Sequence, residues 1–241
     1  YIMKTHEQLR AAVNNLLITR QGIGCSVTSE KRDNIIKLIN PTASFLIGLF
    51  IQHEDVSRDL TIDNALTFLN DMTEHEIGEI PTGRAVFFEE LIDPKIVANP
   101  WFYELEYPLI KFRPGNTQVG PGELFLCLFG KNFIFDQTAN TGSDVTQQLQ
   151  GSSLVYELKS FGSNKTGAAE KLDSYKDGST DRLMIVKCVS TAPKPNFRSA
   201  FYVCDFEKES WRDNIYLHNG VQLKCKLLED VTPLWKEYKG R

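Results

Sequence analysis

An aspartate and a Glu-Leu-Lys triplet lie thirteen residues apart in the second half of the chain. Asp144 precedes the stretch VTQQLQG, and the triplet begins at Glu157 near the end of SSLVYELKS. If Gln150 and Gly151 form a two-residue hairpin loop, the residue numbers of each cross-strand pair sum to 301. Asp144 then lies directly opposite Glu157, with the two Cβ atoms roughly 5 Å apart.

Two carboxylates that face each other repel unless a cation lies between them. Mg²⁺ is the economical cation, because it takes carboxylate and carbonyl oxygens and retains several waters. Asp144, Glu157 and the backbone carbonyl of Leu158 supply such a ligand set. Lys159 lies two residues further along the same face, where it can position or help deprotonate a water activated by the metal.

The elements that position these groups are the two strands of the predicted hairpin, DVTQQLQ and SSLVYELKS. Because side chains alternate along a strand, the face opposite the acids carries the core residues Leu154, Tyr156 and Leu158. GPGELFLCLFG predicts a short buried helix and NFIFDQ a strand before the hairpin. A helix over 167–175 and the strands RLMIVKCV, SAFYVCDF and VQLKCKLL follow it. This half is predicted to be α+β with a mixed or antiparallel sheet.

The first 110 or so residues read mainly as helices, because apolar residues recur three and four apart. One stripe contains Leu9, Val13, Leu16 and Leu17. A second helix is predicted to begin at Ser29 and to end at Pro41, and further helices are predicted over 61–69 and 83–92.

The aspartate, the hairpin and the Glu-Leu-Lys triplet together resemble the PD-(D/E)XK nuclease superfamily. The resemblance implies a restriction-endonuclease-like α/β core, in which Asp144 and Glu157 bind Mg²⁺ and Lys159 assists the attacking water. Many members carry a glutamate on the helix before the core strands, and Glu123 in GPGELFLCLFG is the matching residue and a possible further ligand. Ser143 stands where the family name has proline.

The resemblance covers roughly residues 119–190 and does not extend to the helical first half. It favours a division into a mainly helical region, 1–115, for recognition, dimerisation or partner binding, and a nuclease core, 116–241. The expected fold class is therefore α+β, a restriction-endonuclease-like mixed sheet flanked by helices with a mainly helical N-terminal part.

Each of these residues also has a structural interpretation. Asp144 follows Gly142 and Ser143 and is suited to a turn. Glu157 and Lys159 are compatible with a solvated strand face, and an acid such as Glu123 is favoured in the first turn of any helix. Other acid-x-Lys triplets begin at Asp93 and Glu237, but the first contains a proline and the second lies in a charged tail.

The charge distribution permits DNA binding without requiring it. The net charge is −4, and residues 53–93 hold eleven acids against two arginines. The rest of the chain has 25 basic and 20 acidic residues, which leaves it modestly basic. The acidic segment 53–93 is a candidate surface for a protein partner.

Several other classes of protein are disfavoured. The four histidines and five cysteines show no zinc-site spacing, and the sequence contains no GxxxxGK[ST], GxGxxG or GxSxG motif. The longest apolar run, residues 43–51, is about half the roughly 20 residues that a membrane span requires. Widely spaced thiols indicate a reduced, soluble, intracellular protein, either cytoplasmic or nucleoid-associated.

The sequence therefore predicts a Mg²⁺-dependent DNA endonuclease in which Mn²⁺ substitutes for Mg²⁺. A homodimer is implied by the resemblance alone. The alternative is a non-catalytic nucleic-acid-binding or assembly protein on the same fold. RNA or branched DNA as the substrate stays open.

Overall fold

The fold combines a mixed β-sheet with helices packed on one of its faces, as the predicted α+β class requires. The structure, a computed structural model, describes residues 2–20, 29–112, 122–135, 144–160, 181–190, 197–208, 212–219, 222–229, 233, 237 and 238. The helices of this part of the chain are α1 Ile2–Thr19, α2 Ser29–His53, α3 Ile62–Thr73, α4 Pro94–Val97, α5 Trp101–Lys111 and α6 Glu123–Phe129. The strands are β1 Ala85–Phe87, β2 Phe133–Phe135, β3 Val145–Leu149, β4 Ser152–Ser160, β5 Arg182–Ser190, β6 Phe197–Asp205, β7 Ile215–His218 and β8 Gln222–Cys225.

Six of the described strands form one sheet in the order β1-β6-β5-β4-β3-β2. β4 and β5 are parallel, and the other neighbours in this sheet are antiparallel. A parallel pair requires a crossover connection rather than a hairpin, and residues 161–180 between these two strands lie outside the described residues. The helix predicted over 167–175 falls in that segment. β7 and β8 form a separate antiparallel hairpin.

Two hydrophobic clusters cover the two faces of the sheet. The larger cluster joins the helices to one face, and its buried members include Leu9, Phe68, Phe125, Tyr156 and Phe201. The smaller cluster lies on the other face, at the end formed by β1 and β6, where the β7–β8 hairpin and the turn Lys226–Leu228 cover Phe87, Ala200, Tyr202 and Cys204. The polar face of the β3–β4 hairpin lies on this second side of the sheet.

The boundary predicted near residue 115 falls within 113–121, outside the described residues. Packing among the described residues is continuous across it, because the larger cluster draws on both parts of the chain. β1 belongs to the mainly helical part in sequence, yet it pairs with β6 at the sheet edge.

The prediction that the second helix ends at Pro41 is wrong, because α2 continues through this proline to His53. Proline inside a helix removes one backbone donor and crowds the preceding turn, at a cost of about 3 kcal/mol or more. The second half of α2 buries Leu46, Leu49 and Phe50 in the core. Complete burial of one such side chain contributes roughly 1.5–3 kcal/mol, so packing outweighs the local cost of the proline.

The helix predicted over 83–92 is also wrong. This stretch forms β1 and then the single 3₁₀ turn Phe88–Leu91. Val86 pairs with Phe201 of β6, and both side chains are buried. A short apolar run such as AVFF is compatible with either a helix or a strand, and here the long-range pairing with β6 decides between them.

The helices predicted for the first apolar stripe, for 61–69 and for GPGELFLCLFG agree with α1, α3 and α6. The apolar stripe of α1 is buried, α3 begins after an N-cap at Thr61, and all seven residues of α6 are buried. Among the described residues, no helix is both long enough and apolar enough to cross a membrane.

Candidate functional site

The register predicted for the β3–β4 hairpin is confirmed. The observed pairs run from Leu149 with Ser152 to Val145 with Tyr156, so each pair sums to 301. Gly151 has a φ of 81°, a backbone conformation that glycine adopts without the Cβ clash that other residues meet. The turn therefore sets which side chains of the two strands share a face.

Asp144 lies one residue beyond the last described pair of this hairpin, in a bend rather than in β3. Its backbone N–H donates to the carbonyl of Tyr156 at 2.9 Å. Its carboxylate Oδ2 accepts the backbone N–H of Leu158 at 2.7 Å. Asp144 thus caps β4 through two hydrogen bonds. They attach it to the strand backbone at Tyr156 and at Leu158, on either side of Glu157.

Glu157 and Lys159 form an ion pair on the face of the sheet opposite the helices. The Glu157 side chain is 6% exposed and that of Lys159 is 27% exposed. Because a buried carboxylate is costly without a counter-charge, a cation next to Glu157 is expected on physical grounds. Lys159 supplies that charge in this structure, and it does so from the position two residues along the strand that the sequence predicts.

On the core-facing side of the same hairpin, the side chains of Gln147, Tyr156 and Arg182 form a hydrogen-bonded network. The Gln147 amide Nε2 donates to the carbonyls of Ile77 and Gly78 at 2.9 and 2.8 Å. The hydroxyl of Tyr156 lies 3.0 Å from Gln147 Oε1, which accepts its hydrogen bond, and Arg182 donates to that hydroxyl at 3.3 Å. These contacts bind the segment after α3 to the sheet.

Arg182 closes this network at the start of β5. Its Nη2 lies 2.5 Å from Glu79 Oε1. Burial lowers the pKa of the Arg182 guanidinium, but the hydrogen bonds with Glu79 and Tyr156 outweigh it, so the pKa is raised. Burial also raises the pKa of the Tyr156 hydroxyl. Both groups therefore keep their ordinary protonation states at neutral pH.

Glu123 is the first residue of α6, directly after Gly122 in a left-handed conformation with φ 92°. Its side chain is buried, although it opens a helix where acids are often solvated. One turn along, burial raises the pKa of the Cys127 thiol well above its ordinary value, and the charge of Glu123 adds to the effect.

The described residues contain no group of three or more His, Cys, Asp or Glu side chains arranged to hold a metal ion. Glu123, Asp144 and Glu157 thus do not form a ready-made cage. Mg²⁺ commonly binds through one or two carboxylates together with waters and substrate phosphates. The Asp144–Glu157 pair fits that smaller ligand set, and the Leu158 carbonyl and Glu123 stay predictions as additional ligands.

Asp181 is a residue at this site that the sequence interpretation missed. Its Oδ2 accepts the backbone N–H of Val155 at 2.8 Å, and its own N–H donates to the Val155 carbonyl at 3.0 Å. It therefore caps β4 from the β5 side, as Asp144 does from the β3 side. The available signal was an aspartate directly before a predicted strand.

The acidic segment 53–93 makes many contacts within the chain. Seven of its acids accept hydrogen bonds or form ion pairs with other residues, and these are Asp55, Asp71, Glu74, Glu79, Glu89, Glu90 and Asp93. Part of this charge therefore caps helices and pairs with nearby bases, which is a structural role.

Comparison with protein-family models, curated proteins and solved structures gives no match for this chain. The resemblance to the PD-(D/E)XK superfamily thus depends on the residues and their spacing.

Proposed function

We propose that this chain is a Mg²⁺-dependent nuclease that hydrolyses phosphodiester bonds in DNA. The observation that carries the proposal is the β3–β4 register, which holds Asp144 beside the triplet of a buried glutamate and its paired lysine. This polar set lies on the side of the sheet away from the helical core. A carboxylate pair with an adjacent lysine is the minimal equipment for metal-assisted hydrolysis.

The residues would divide the chemistry between them. Asp144 and Glu157 would hold the ion, with the Leu158 carbonyl and Glu123 as candidate further ligands. Bound Mg²⁺ would supply Lewis acidity to the phosphate and to the attacking water. Lys159 would orient that water through its ammonium group and stabilise negative charge that develops on the phosphate oxygens.

The ion pair between Glu157 and Lys159 gives the lysine a second role, as the counter-charge of Glu157 before a metal binds. The ammonium group occupies the position of a counter-ion on the carboxylate that would bind the metal. Because Lys159 is the more exposed partner, its flexible four-carbon stem allows it to turn toward substrate when a metal replaces it. The lysine thus neutralises a buried acid in one state and contacts the water in the other.

The surrounding fold supports the same proposal. α6 precedes the strands and begins with the buried Glu123, and β4 is bordered by an antiparallel strand on one side and a parallel strand on the other. These are the features that the resemblance implies for a mixed-sheet core. β5 pairs with all three residues of the triplet, the described β3 pairs end at Tyr156 directly before it, and the Asp144 carboxylate accepts the backbone N–H of Leu158.

The test is cleavage of supercoiled and linear DNA by the wild type and by Glu157→Ala, in Mg²⁺, in Mn²⁺ and in EDTA. Cutting that requires metal and disappears in the variant supports the nuclease. Absence of cutting under every metal condition, with equal DNA binding by both proteins, contradicts it.

Two aspartates that cap the same strand provide a matched control. Asp144→Asn and Asp181→Asn each keep a side-chain carbonyl that accepts the backbone N–H of β4, so neither should disturb the strand. Only Asp144→Asn removes a predicted metal ligand. Loss of metal-dependent cutting in Asp144→Asn, with cutting retained in Asp181→Asn, would assign the role to the carboxylate rather than to the cap.

The alternative function is a non-catalytic nucleic-acid-binding or assembly protein. A specific observation favours it: Asp144 caps β4 and Glu157 is neutralised by Lys159, so both acids have structural roles without any metal. Titration with Mg²⁺ or Mn²⁺, followed by calorimetry, discriminates the two. Binding that is lost in Glu157→Gln favours the nuclease, and no binding in the presence of a DNA duplex favours the alternative.

DNA as the partner, a homodimer and a protein partner at segment 53–93 remain part of this proposal. Charge reversal at exposed acids of that segment, such as Glu54 and Asp63, tests the last of these. Unchanged cleavage and unchanged assembly would contradict a partner role for the segment.

A further inference from the structure

The tip of the β3–β4 hairpin extends beyond its neighbours among the described strands. β2 begins at Phe133, opposite Gln147, and β5 begins at Arg182, opposite Tyr156. Residues 148–154, called the ribbon below, lie past these two points as two paired strand ends with a tight turn between them. The ribbon therefore projects from the same hairpin that positions the proposed site.

Hydrogen bonds hold the base of the ribbon on both strands. The backbone N–H of Gln148 donates to the carbonyl of Asn132 at 2.7 Å, and Asn132 Nδ2 donates to the Gln148 carbonyl at 3.0 Å. On the other strand, Asp181 accepts the N–H of Val155 and donates to its carbonyl. The partly buried Leu154 packs against the larger hydrophobic cluster. These contacts fix the direction in which the ribbon projects.

One face of the ribbon continues the face that carries Glu157. Gln148 pairs with Ser153, and both residues are exposed. Because side chains alternate along a strand, Ser153 and Glu157 share a face. Ser153 precedes Glu157 by four residues, which at about 3.3 Å per residue is about 13 Å. This separation corresponds to about four base pairs of B-DNA, which rises about 3.4 Å per base pair.

The exposed side chains of the ribbon are neutral hydrogen-bonding groups. They belong to Gln148, Gln150, Ser152 and Ser153, and residues 145–156 contain no charged residue. A neutral surface gains little from the charge of DNA phosphates. Glutamine and serine do form the hydrogen bonds that base edges offer in the major groove. The composition of the ribbon therefore fits base recognition better than attachment to the DNA backbone.

The shape of the ribbon fits the same partner. The major groove of B-DNA is about 12 Å wide and admits a two-stranded β-ribbon, and a glutamine there can form a bidentate pair with adenine. We propose that the ribbon enters the major groove of the DNA substrate and that Gln148 reads an adenine about four base pairs from the cleaved bond. This inference rests on the proposed nuclease. It selects duplex DNA over duplex RNA, because side chains cannot read the deep, narrow major groove of A-form RNA.

The test is a selection from a library of DNA duplexes with randomised positions. The wild type and Gln148→Ala cut the library in Mg²⁺, and sequencing of the cut ends gives the base preference at each distance from the cut. We expect the wild type to prefer adenine by about tenfold at a position about four base pairs away, and the variant to lose this preference. An unchanged preference in the variant, or no preference near that distance in the wild type, would overturn the proposal.

Gln148→Glu should give a signature that a purely structural role does not produce. A carboxylate accepts a hydrogen bond from the amino group of cytosine, so the preferred base at this position should change from adenine to cytosine. Gln52→Ala is the matched control, because Gln52 is an exposed glutamine on α2, and it should leave the preference unchanged. Equal weakening of all sequences by Gln148→Ala would indicate a phosphate contact or a structural role and would contradict base recognition.

Selection of bound, uncut duplexes in Ca²⁺ and in EDTA separates this inference from the nuclease. An adenine preference among bound duplexes that is lost in Gln148→Ala would support the ribbon even if the chain cuts nothing. Metal-dependent cutting with the same preference in both proteins would support the nuclease and exclude the ribbon. Absence of binding to duplex DNA would overturn the ribbon whatever its cause.

Two further measurements exclude other partners. Duplex RNA of the preferred sequence should bind at least about tenfold more weakly than the DNA, and equal binding would contradict entry into the major groove. Sedimentation of the wild type and Gln148→Ala tests a contact with a second copy of the chain. A change in oligomeric state with an unchanged base preference would assign the ribbon to a protein interface and overturn the proposal.

Discussion

The two faces of the β3–β4 hairpin carry polar groups that are satisfied in different ways. On the core side, Gln147 and Tyr156 bond to backbone carbonyls, to each other and to Arg182. On the other side, the buried Glu157 forms an ion pair with Lys159, whose side chain is 27% exposed. A ligand can therefore replace the partner of Glu157 more readily than the partners of its neighbour Tyr156.

The difference teaches where to look for function on a strand with polar residues on both faces. A network that ends on backbone carbonyls has fixed partners, and its replacement costs stability. A carboxylate that pairs with the ammonium group of a partly exposed lysine has a partner that a metal ion can replace. We therefore expect substitutions on the two faces to affect different measurements.

The largest expected effect is on the acid face. Lys159→Ala should lower the rate of DNA cleavage by about 10²–10⁴-fold, the usual contribution of a group that assists proton transfer, while DNA binding is retained. Single-turnover cleavage and a binding assay measure the two quantities. Lys131→Ala is the control, because this lysine pairs with the exposed Glu74 and lies outside the proposed site. A cleavage rate unchanged by Lys159→Ala would break the comparison.

On the core face, Gln147→Leu should lower the free energy of unfolding by about 2–3 kcal/mol. The Gly78 carbonyl and the Tyr156 hydroxyl both lose a buried hydrogen-bond partner. Urea unfolding measures the loss. Gln148→Leu is the matched control, because Gln148 is exposed on the opposite face, and a change within about 0.5 kcal/mol is expected there. Equal effects for the two glutamines would contradict the assignment of faces.

The turn that sets the register should contribute less. Gly151→Ala places a Cβ in open space but at a φ of 81°, so it should cost about 1–2 kcal/mol through the backbone alone. Gly48→Ala in α2, which also meets open space, should instead stabilise the protein by up to about 1 kcal/mol. Thermal unfolding of the two variants gives the signs. Two shifts of the same sign would contradict this account of the turn.

The smallest effect is expected at the rim of the core network. Glu79→Gln removes an ion pair with Arg182, but the Glu79 side chain is 61% exposed, and exposed pairs contribute about 0–1 kcal/mol. Arg182 keeps its bonds to Tyr156 and to the Ile80 carbonyl. Urea unfolding in low and high salt measures the contribution. A loss above about 2 kcal/mol would show that Glu79 belongs to the buried network.

Much of the local structure is predictable from the sequence because it depends on short-range patterns. The apolar stripe of α1, the N-cap at Thr61, the glycine before α6 and the two-residue turn at Gly151 all act within a few residues. The cross-strand register follows from the turn and from the alternation of side chains. These features place Asp144 beside the triplet without any long-range information.

Long-range contacts decide the features that the sequence interpretation missed. α2 passes through Pro41 because its second half packs into the core, and Ala85–Phe87 is a strand because β6 is available to pair with it. The cap that Asp181 forms on β4 joins residues 26 positions apart. The intrinsic preference of a residue for a helix or a strand does not depend on partners that lie far along the chain.

The sequence by itself determined the types and spacing of Asp144, Glu157 and Lys159 and the shared face of Glu157 and Lys159, because a tight turn and a period of two leave one register for the hairpin. The tertiary structure decided how these groups are satisfied. It buries Glu157 under its neighbours, which makes the charge of Lys159 necessary, and it bends the chain at Asp144 so that this carboxylate caps Leu158. Burial and capping depend on elements that meet only when the chain has folded, since the desolvation of a carboxylate is set by all the atoms around it.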